Sequence, residues 1–173
     1  ISASFAVKQS VWPLFPLYIA YLWFTNKNKK EFYKSLGVFV GTFSLLVLPF
    51  FLWDPRAFLD STIFYLSGNT PNSYPISGYG FGMLLYEFGF IKNLKDQFPF
   101  IIFQLIFGIP ILFYLIKYIK QRTSVKSLIL AYGIFLFAYW YFSRYFNNNH
   151  IVYLTILFTT AYFWPEKDNE TQK

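Results

Sequence analysis

Residues 26–36 read NKNKKEFYKSL and residues 117–126 read KYIKQRTSVK, and each stretch separates two long apolar segments. Together they contain eight of the fifteen basic residues, and Glu31 is their one acid. Positive charge on short loops sets the orientation of a polytopic membrane protein, because such loops stay on the cytoplasmic side. The two lysine-rich stretches therefore predict membrane insertion with both stretches inside. The net charge of +7 reflects this topology rather than affinity for nucleic acid.

The composition also predicts an integral membrane protein. Hydrophobic residues make up 55% of the chain and charged residues 13%, whereas a soluble domain carries about 25% charged residues. A hydrocarbon core of about 30 Å needs about 20 apolar residues per helix. Five segments approach this length: Phe5 to Phe24, Leu36 to Trp53, Phe100 to Ile119, Val125 to Phe142 and Tyr145 to Trp164. The predicted fold is an all-α, multi-pass transmembrane helix bundle of about five spans.

The ends of the sequence suggest how this bundle fits into a longer chain. The sequence begins with Ile1 and opens directly into an apolar segment, without the charged start and cleavage site of a signal peptide. We therefore expect residues 1–173 to form one transmembrane bundle, the C-terminal part of a longer membrane protein. Five spans would place the start of the first helix outside and residues 165–173 inside. The absence of cysteine excludes disulfides and thiolate metal sites from this region.

Most of the irregular sequence falls on the predicted outer side, in residues 54–98 and in the link around residues 143–150. Residues 56–67 place apolar side chains mainly along one side, which predicts a helix lying in the membrane interface. Residues 68–75 read GNTPNSYP, a cluster of turn formers that predicts a loop. We expect residues 69–82 to act as a lid that becomes ordered when a ligand binds.

Lys8 and Gln9 are the first candidate binding residues. They lie about one turn inside the outer end of the first predicted span, and an ionisable residue at that depth is a candidate for a functional site. A lysine there can hold a phosphate as a point charge. The alternative is a structural lysine that snorkels to the headgroups or forms an ion pair.

The second candidate is the segment 143–150, SRYFNNNH, at the outer boundary. The planar fork of Arg144 can bind phosphate oxygens, and Asn147 and Asn149 can bond sugar hydroxyls. His150 can bind a hydroxyl or assist proton transfer. The alternative is a polar hairpin turn with an interfacial arginine. A lone histidine without partners at ligand spacing does not predict a metal site.

The glycine-rich stretch 77–82, SGYGFG, is the third candidate. It follows a loop rather than a buried strand and lacks the lysine of a phosphate-binding loop, so it does not predict nucleotide binding. Its glycines would let the outer loop bend or move. Tyr79 and Phe81 are then available to stack on a sugar or a lipid.

The order of these parts resembles the C-terminal half of GT-C glycosyltransferases, membrane enzymes that transfer sugars from polyprenyl-phosphate carriers on the non-cytoplasmic face. The resemblance, to mannosyltransferase-like members in particular, rests on four features. Lys8 and Gln9 begin a proline-containing span, and residues 54–59 read DPRAFL. Residues 72–82 are a predicted loop, and residues 144–153 begin the final predicted helix. It implies the lipid bilayer and a polyprenyl-phosphate-linked sugar donor as partners.

In that family the catalytic acid usually lies near the N-terminus. The resemblance therefore implies that the catalytic acid, and any divalent metal, belong to an N-terminal half that precedes these residues. For this region it implies a share of the lipid-phosphate and acceptor pocket, with Lys8, Arg144 and His150 as binding candidates. We assign no catalytic residue here and expect residues 1–173 alone to be inactive.

Two other functions remain open at this point. Kinked helices and intramembrane charge also suit a transporter or a lipid flippase. A non-catalytic assembly subunit of a membrane complex is the third possibility. An acidic residue in a first outer loop upstream would favour the transferase, and a repeat of these residues upstream would favour transport.

The predicted orientation can be tested by single-cysteine labelling, since the chain has no cysteine of its own. Cysteines at Thr70 and Asn148 should react with an impermeant maleimide applied outside intact cells. Cysteines at Asn28 and Thr123 should stay unlabelled until the membrane is opened. The reverse pattern would overturn the orientation.

Overall fold

The structure is a computed structural model that describes residues 1–26, 28–68, 70 and 72–165, and this part of the chain is mostly helical. Its α-helices are α1 (Ser2–Val7), α2 (Leu14–Thr25), α3 (Lys29–Trp53), α4 (Pro55–Leu59), α5 (Tyr65–Ser67), α6 (Phe81–Glu87), α7 (Phe100–Gln121), α8 (Val125–Tyr141) and α9 (Asn148–Phe163). A 3₁₀ turn, Gln9–Val11, follows α1, and a π-helical turn, Asp60–Phe64, joins α4 to α5. Two short strands, β1 (Ser77–Gly78) and β2 (Tyr145–Phe146), pair in parallel.

In the described residues two helices, α3 and α7, are long and apolar enough to cross a membrane. Helices α8 and α9 have 17 and 16 residues, slightly fewer than the roughly 20 that a bilayer core requires. Only 6% of the most apolar 18-residue stretch of α3 is buried within the chain. The helical fold is thus confirmed, whereas the count of five spans is not.

The predicted first span is wrong as a single helix, because the chain reverses direction within it. The rings of Phe5 and Phe15 lie 6.2 Å apart, whereas ten residues of continuous helix rise about 15 Å. The indole Nε1 of Trp12 donates to the carbonyl of Phe5 at 2.9 Å. Lys8 has extended backbone angles, and Pro13 supplies no N–H to continue a helix. Helices α1 and α2 therefore form a hairpin.

The start of α1 accordingly lies beside the start of α3. Ile1 and Ser2 line one depression together with Glu31 and Lys34. The expectation that the first helix begins at the opposite end of the bundle from the lysine-rich stretches is therefore wrong.

The first of those stretches also differs from a plain loop, because Asn28 caps α3 by accepting from the N–H of Lys30 at 2.9 Å. Lys27 and most of the predicted inner tail, residues 166–173, lie outside the described residues.

Phe39 of α3 holds the hairpin in place. Its ring lies 5.1 Å from that of Phe5, 5.7 Å from that of Phe15 and 5.8 Å from that of Tyr18. Phe39 is buried as a result. Because α1 packs on α3 while α2 packs on α7 and α8, the hairpin links α3 to the rest of the bundle.

Helix α8 is the centre of the bundle and packs against α2, α7 and α9. Its Leu136 is fully buried, as are Leu17 of α2 and Ile119 of α7. Ser124 caps α8, and its Oγ accepts from the N–H of Ser127 at 3.1 Å. Residues 142–147 join the end of α8 to the start of α9 at one end of the bundle. Residues 72–98 contact this link.

Residues 55–67 form consecutive helical turns, as the sequence predicts for residues 56–67. Asp54 caps this helix by accepting from the N–H of Ala57 at 2.9 Å. The helix ends at Gly68, whose φ of +89° is left-handed. Among the described residues of the predicted loop, Ser73 Oγ accepts from the N–H of Thr70 at 2.8 Å.

Replacing Phe39 with alanine should destabilise the protein by about 3 to 5 kcal/mol, because it leaves a cavity between α1, α2 and α3. Thermal or denaturant unfolding in detergent measures this loss. Phe50→Ala is the matched control, since Phe50 belongs to the same helix and is 70% exposed. Equal stability of the two variants would contradict the hairpin packing.

Candidate functional site

Arg144 lies in the link that joins α8 to α9, and 2% of its surface is exposed. Its guanidinium donates to three backbone carbonyls, those of Tyr74, Leu94 and Asp96. The Nη1 to Asp96 O distance is 2.8 Å, and the Nη2 to Leu94 O distance is 3.3 Å. These bonds engage the guanidinium that the sequence predicts as a phosphate-binding fork, and they tie residues 72–98, the outer segment, to the start of α9.

The charge of Arg144 is compatible with this burial. Burial lowers the pKa of the Arg144 guanidinium, and the nearby Asp96 carboxylate acts in the opposite direction. An arginine stays protonated at neutral pH even so. A buried charge is tolerated when hydrogen bonds replace its hydration, and the three carbonyls supply them. Gly68 completes the fit, because a Cβ at that position would collide with Arg144 Nη1.

The outer segment is further fixed by the pairing of β1 with β2. Ser77 pairs with Tyr145 and Gly78 pairs with Phe146. The N–H of Tyr79 donates to the carbonyl of Phe146 at 2.8 Å. Gly78 has a φ of +93°, and any side chain there would collide with the carbonyl of Phe146. The described part of the predicted lid thus packs against the start of α9 and forms a platform there.

A polar depression of about 230 Å³ opens on this platform. It is lined by Gly78, Tyr79, Asn147, Asn148 and Asn149. The Tyr79 side chain is 64% exposed, and those of Asn148 and Asn149 are also exposed. The fold therefore brings Tyr79, from the third candidate segment, beside Asn147 and Asn149, both from the second. Asn148 was missed, although the run of three asparagines was the available signal.

Asn147 serves mainly to position its neighbours. Its Oδ1 accepts from Ser77 Oγ at 3.3 Å, and its Nδ2 donates to the hydroxyl of Tyr74 at 3.4 Å. Its backbone N–H donates to Nδ1 of His150 at 3.0 Å, which caps α9. Because Nδ1 accepts this bond, the proton of a neutral imidazole is on Nε2. His150 can therefore offer one N–H donor. Its ring also packs edge-on against that of Trp140, with 4.4 Å between the ring centres.

Lys8 lies at the turn of the α1–α2 hairpin, and Gln9 starts the 3₁₀ turn after it. The Nζ of Lys8 is 5.5 Å from the centre of the Tyr153 ring on α9. Lys8 and Arg144, the two cations predicted for a phosphate, thus contact different groups. Lys8 faces the Tyr153 ring, whereas Arg144 donates to carbonyls of the outer segment.

Two of the carboxylates on the predicted outer side accept hydrogen bonds from backbone N–H groups. Asp54 caps α4, and Asp96 Oδ2 accepts from the N–H of Asn93 at 2.9 Å. The described part of the chain also holds no group of three His, Cys, Asp or Glu residues suited to a metal ion. The arrangement can bind polar ligands.

No protein-family model, no curated protein and no solved structure matches this sequence. The resemblance to GT-C glycosyltransferases therefore stays a prediction. The geometry of the depression and of its surroundings supplies the argument for function.

Removing the guanidinium should loosen the outer segment, because each buried carbonyl left without a partner costs about 1 to 3 kcal/mol. We expect Arg144→Ala to lower the melting temperature and to speed proteolysis within residues 72–98. Arg144→Lys should be intermediate, since an ammonium cannot reproduce the planar fork.

Arg56→Ala is the control, because Arg56 is exposed in the preceding helix. Wild-type stability and wild-type protease resistance in Arg144→Ala would show that the outer segment holds its place without this residue.

Proposed function

We propose that the chain is part of a multi-pass membrane glycosyltransferase that moves a sugar from a polyprenyl-phosphate carrier on the non-cytoplasmic face. In this proposal the outer end of the bundle holds the sugar. The observation that carries it is the exposed, asparagine-lined depression at one end of a bundle whose sides are apolar. Polar groups concentrated at one end suit a ligand that reaches the protein from the membrane surface.

The apolar sides of the bundle support a lipid environment. Leu45 on α3, Phe113 on α7 and Phe163 on α9 are each more than 70% exposed within the chain. Apolar surface of this extent on several helices marks contact with lipid or with other membrane helices. The proposal places α3, α7, α8 and α9 across the bilayer, the lysine-rich stretches in the cytoplasm and the outer segment on the opposite side.

The chemistry of the depression suits a sugar unit. Asparagine amides both donate and accept hydrogen bonds, as ring hydroxyls do. The exposed ring of Tyr79 adds an apolar face on which a sugar can stack. The volume of about 230 Å³ is below the roughly 300 to 1,000 Å³ of pockets for drug-sized ligands, which favours one monosaccharide over a long glycan.

Sugar transfer also needs a base that activates the acceptor hydroxyl. Asp54 and Asp96 are engaged in backbone caps. Following the resemblance, the proposal places the catalytic base, and any divalent metal, outside residues 1–173. This region contributes binding and orientation.

One observation favours a transporter or lipid flippase as a second candidate. The first predicted span is a broken helix with extended backbone at Lys8, and broken helices frame the substrate sites of many transporters. Vesicle assays separate the two functions. Movement of a labelled polyprenyl-phosphate sugar between leaflets without sugar transfer would favour the flippase.

The sugar site predicts that Tyr79→Ala and Asn149→Ala each weaken donor binding about 3-fold to 10-fold, the equivalent of one lost hydrogen bond or stacking contact. Turnover and donor KM of the full-length protein in proteoliposomes, with a polyprenyl-phosphate sugar, measure the effect. Tyr86→Ala is the control, because Tyr86 is an exposed tyrosine of α6 that does not line the depression. Unchanged kinetics in all three variants would remove the depression from the proposal.

A further inference from the structure

The depression that Ile1 and Ser2 form with the start of α3 has a volume of about 420 Å³, and we call it the α3 depression. This volume is within the range of roughly 300 to 1,000 Å³ that is usual for ligand pockets. The polar part of its lining comes from Ser2, Glu31, Lys34 and Ser35, and the apolar and aromatic part from Ile1, Tyr18, Val38 and Phe39. It shares no lining residue with the asparagine-lined depression.

The polar part of the α3 depression carries one charge of each sign. Glu31 and Lys34 are exposed, and within the described residues neither side chain forms an ion pair. Residues three apart on a helix lie on one face, with roughly 5 to 6 Å between their Cβ atoms. Both charges are therefore available to a single ligand. A purely basic pocket on the cytoplasmic side suits an anionic lipid headgroup, whereas the carboxylate of Glu31 repels a second negative group.

The lining becomes apolar with distance from the lysine-rich end of α3. Val38 lies seven residues beyond Glu31, a rise of about 10 Å along the helix. The same face continues to Leu45, because positions seven apart share a helix face, and the side chains of Val38 and Leu45 are both largely exposed. The rings of Tyr18 and Phe39, 5.8 Å apart, add aromatic surface. A ligand here meets charges at one end and apolar surface at the other.

An aromatic contact indicates the level of these charges in a membrane. The ring of Trp23 lies 5.1 Å from that of Phe32, and Lys29 Nζ lies 5.7 Å from the centre of the Trp23 ring. Tryptophan is enriched at the headgroup level of a bilayer, and Glu31 directly precedes Phe32 in the same helix. Helix α3 is long and apolar enough to cross the membrane. The order of charges and apolar surface along it therefore matches the headgroup and chains of a phospholipid.

We propose that the α3 depression binds a phospholipid whose headgroup carries both a phosphate and a primary ammonium, as phosphatidylethanolamine does. Lys34 donates to the phosphate oxygens, the carboxylate of Glu31 accepts from the ammonium, and an acyl chain lies along Val38 and Leu45. Bonds between charged partners of this kind are stronger than those between neutral groups. The inference rests on the membrane placement of α3 in the proposed function, but it does not depend on sugar transfer.

The test measures lipid binding to the full-length protein by native mass spectrometry in a non-ionic detergent. Phosphatidylethanolamine, phosphatidylcholine and phosphatidylglycerol with identical acyl chains are titrated separately, and the fraction of protein with lipid bound gives an apparent Kd. Phosphatidylcholine keeps the phosphate, but its quaternary ammonium has no N–H to donate. Phosphatidylglycerol keeps the phosphate and has no ammonium. The three lipids thus separate recognition of the ammonium from recognition of the phosphate.

We expect the wild type to bind phosphatidylethanolamine about 3-fold to 10-fold more tightly than phosphatidylcholine or phosphatidylglycerol, the equivalent of one hydrogen bond. Glu31→Gln should abolish the preference for phosphatidylethanolamine over phosphatidylcholine, because the ammonium loses its charged acceptor. Lys34→Gln should weaken the binding of all three lipids, since each contains the phosphate. Lys30→Gln and Glu87→Gln are the matched controls, because both side chains are exposed and neither lines the depression.

Absence of lipid binding, or equal affinity of the wild type for phosphatidylethanolamine and phosphatidylcholine, would overturn the inference. A preference that survives Glu31→Gln would also overturn it, and so would tightest binding of phosphatidylglycerol, which would assign the depression to anionic lipids. The variants should melt at the wild-type temperature without lipid, because all four side chains are exposed. Sugar transfer is assayed separately. A protein with this lipid preference that transfers no sugar would retain the lipid site and lose the proposed function.

Discussion

The buried guanidinium of Arg144 is the interaction on which the outer end of the molecule depends. A charge in the protein interior requires several acceptors around it, and Arg144 finds three in backbone carbonyls of the outer segment. Those bonds set the segment beside the start of α9, where Ser77 and Gly78 pair with β2. The asparagine-lined depression exists because this pairing places Tyr79 beside Asn148 and Asn149. Removal of one side chain therefore affects a site to which it contributes no atom.

The second constraint is the reversal of the chain between α1 and α2. Pro13 lacks the N–H that a continuous helix needs, and the ring of Phe39 fixes Phe5 beside Phe15. The reversal places Lys8 against Tyr153 of α9 and the Ser10 carbonyl against Tyr132 of α8. Polar groups from the first and last parts of the chain thus meet because the first apolar segment is folded back on itself.

The sequence predicted the apolar helices well but not the contacts between distant residues. The segments Phe100 to Ile119 and Val125 to Phe142 nearly coincide with α7 and α8, since hydropathy is a local property. Hydropathy cannot detect a chain reversal, so the first segment was predicted as one helix. The carbonyl partners of Arg144 lie 48 to 70 residues away in sequence, and no local pattern reveals them. Tyr79, Asn147 and Asn149 were proposed on residue type alone, and only the fold shows that they share one depression.

The contacts of the outer segment indicate that it is fixed before any ligand binds, so that the depression is preformed. The amides of Ile76, Ser77 and Tyr79 test it, because they donate to Leu94, Arg144 and Phe146 respectively. Hydrogen exchange should be measured at these amides with and without a polyprenyl-phosphate sugar. We expect slow exchange in both conditions, with little added protection from the ligand. Fast exchange that becomes slow only with the ligand would show a mobile lid instead of a preformed depression.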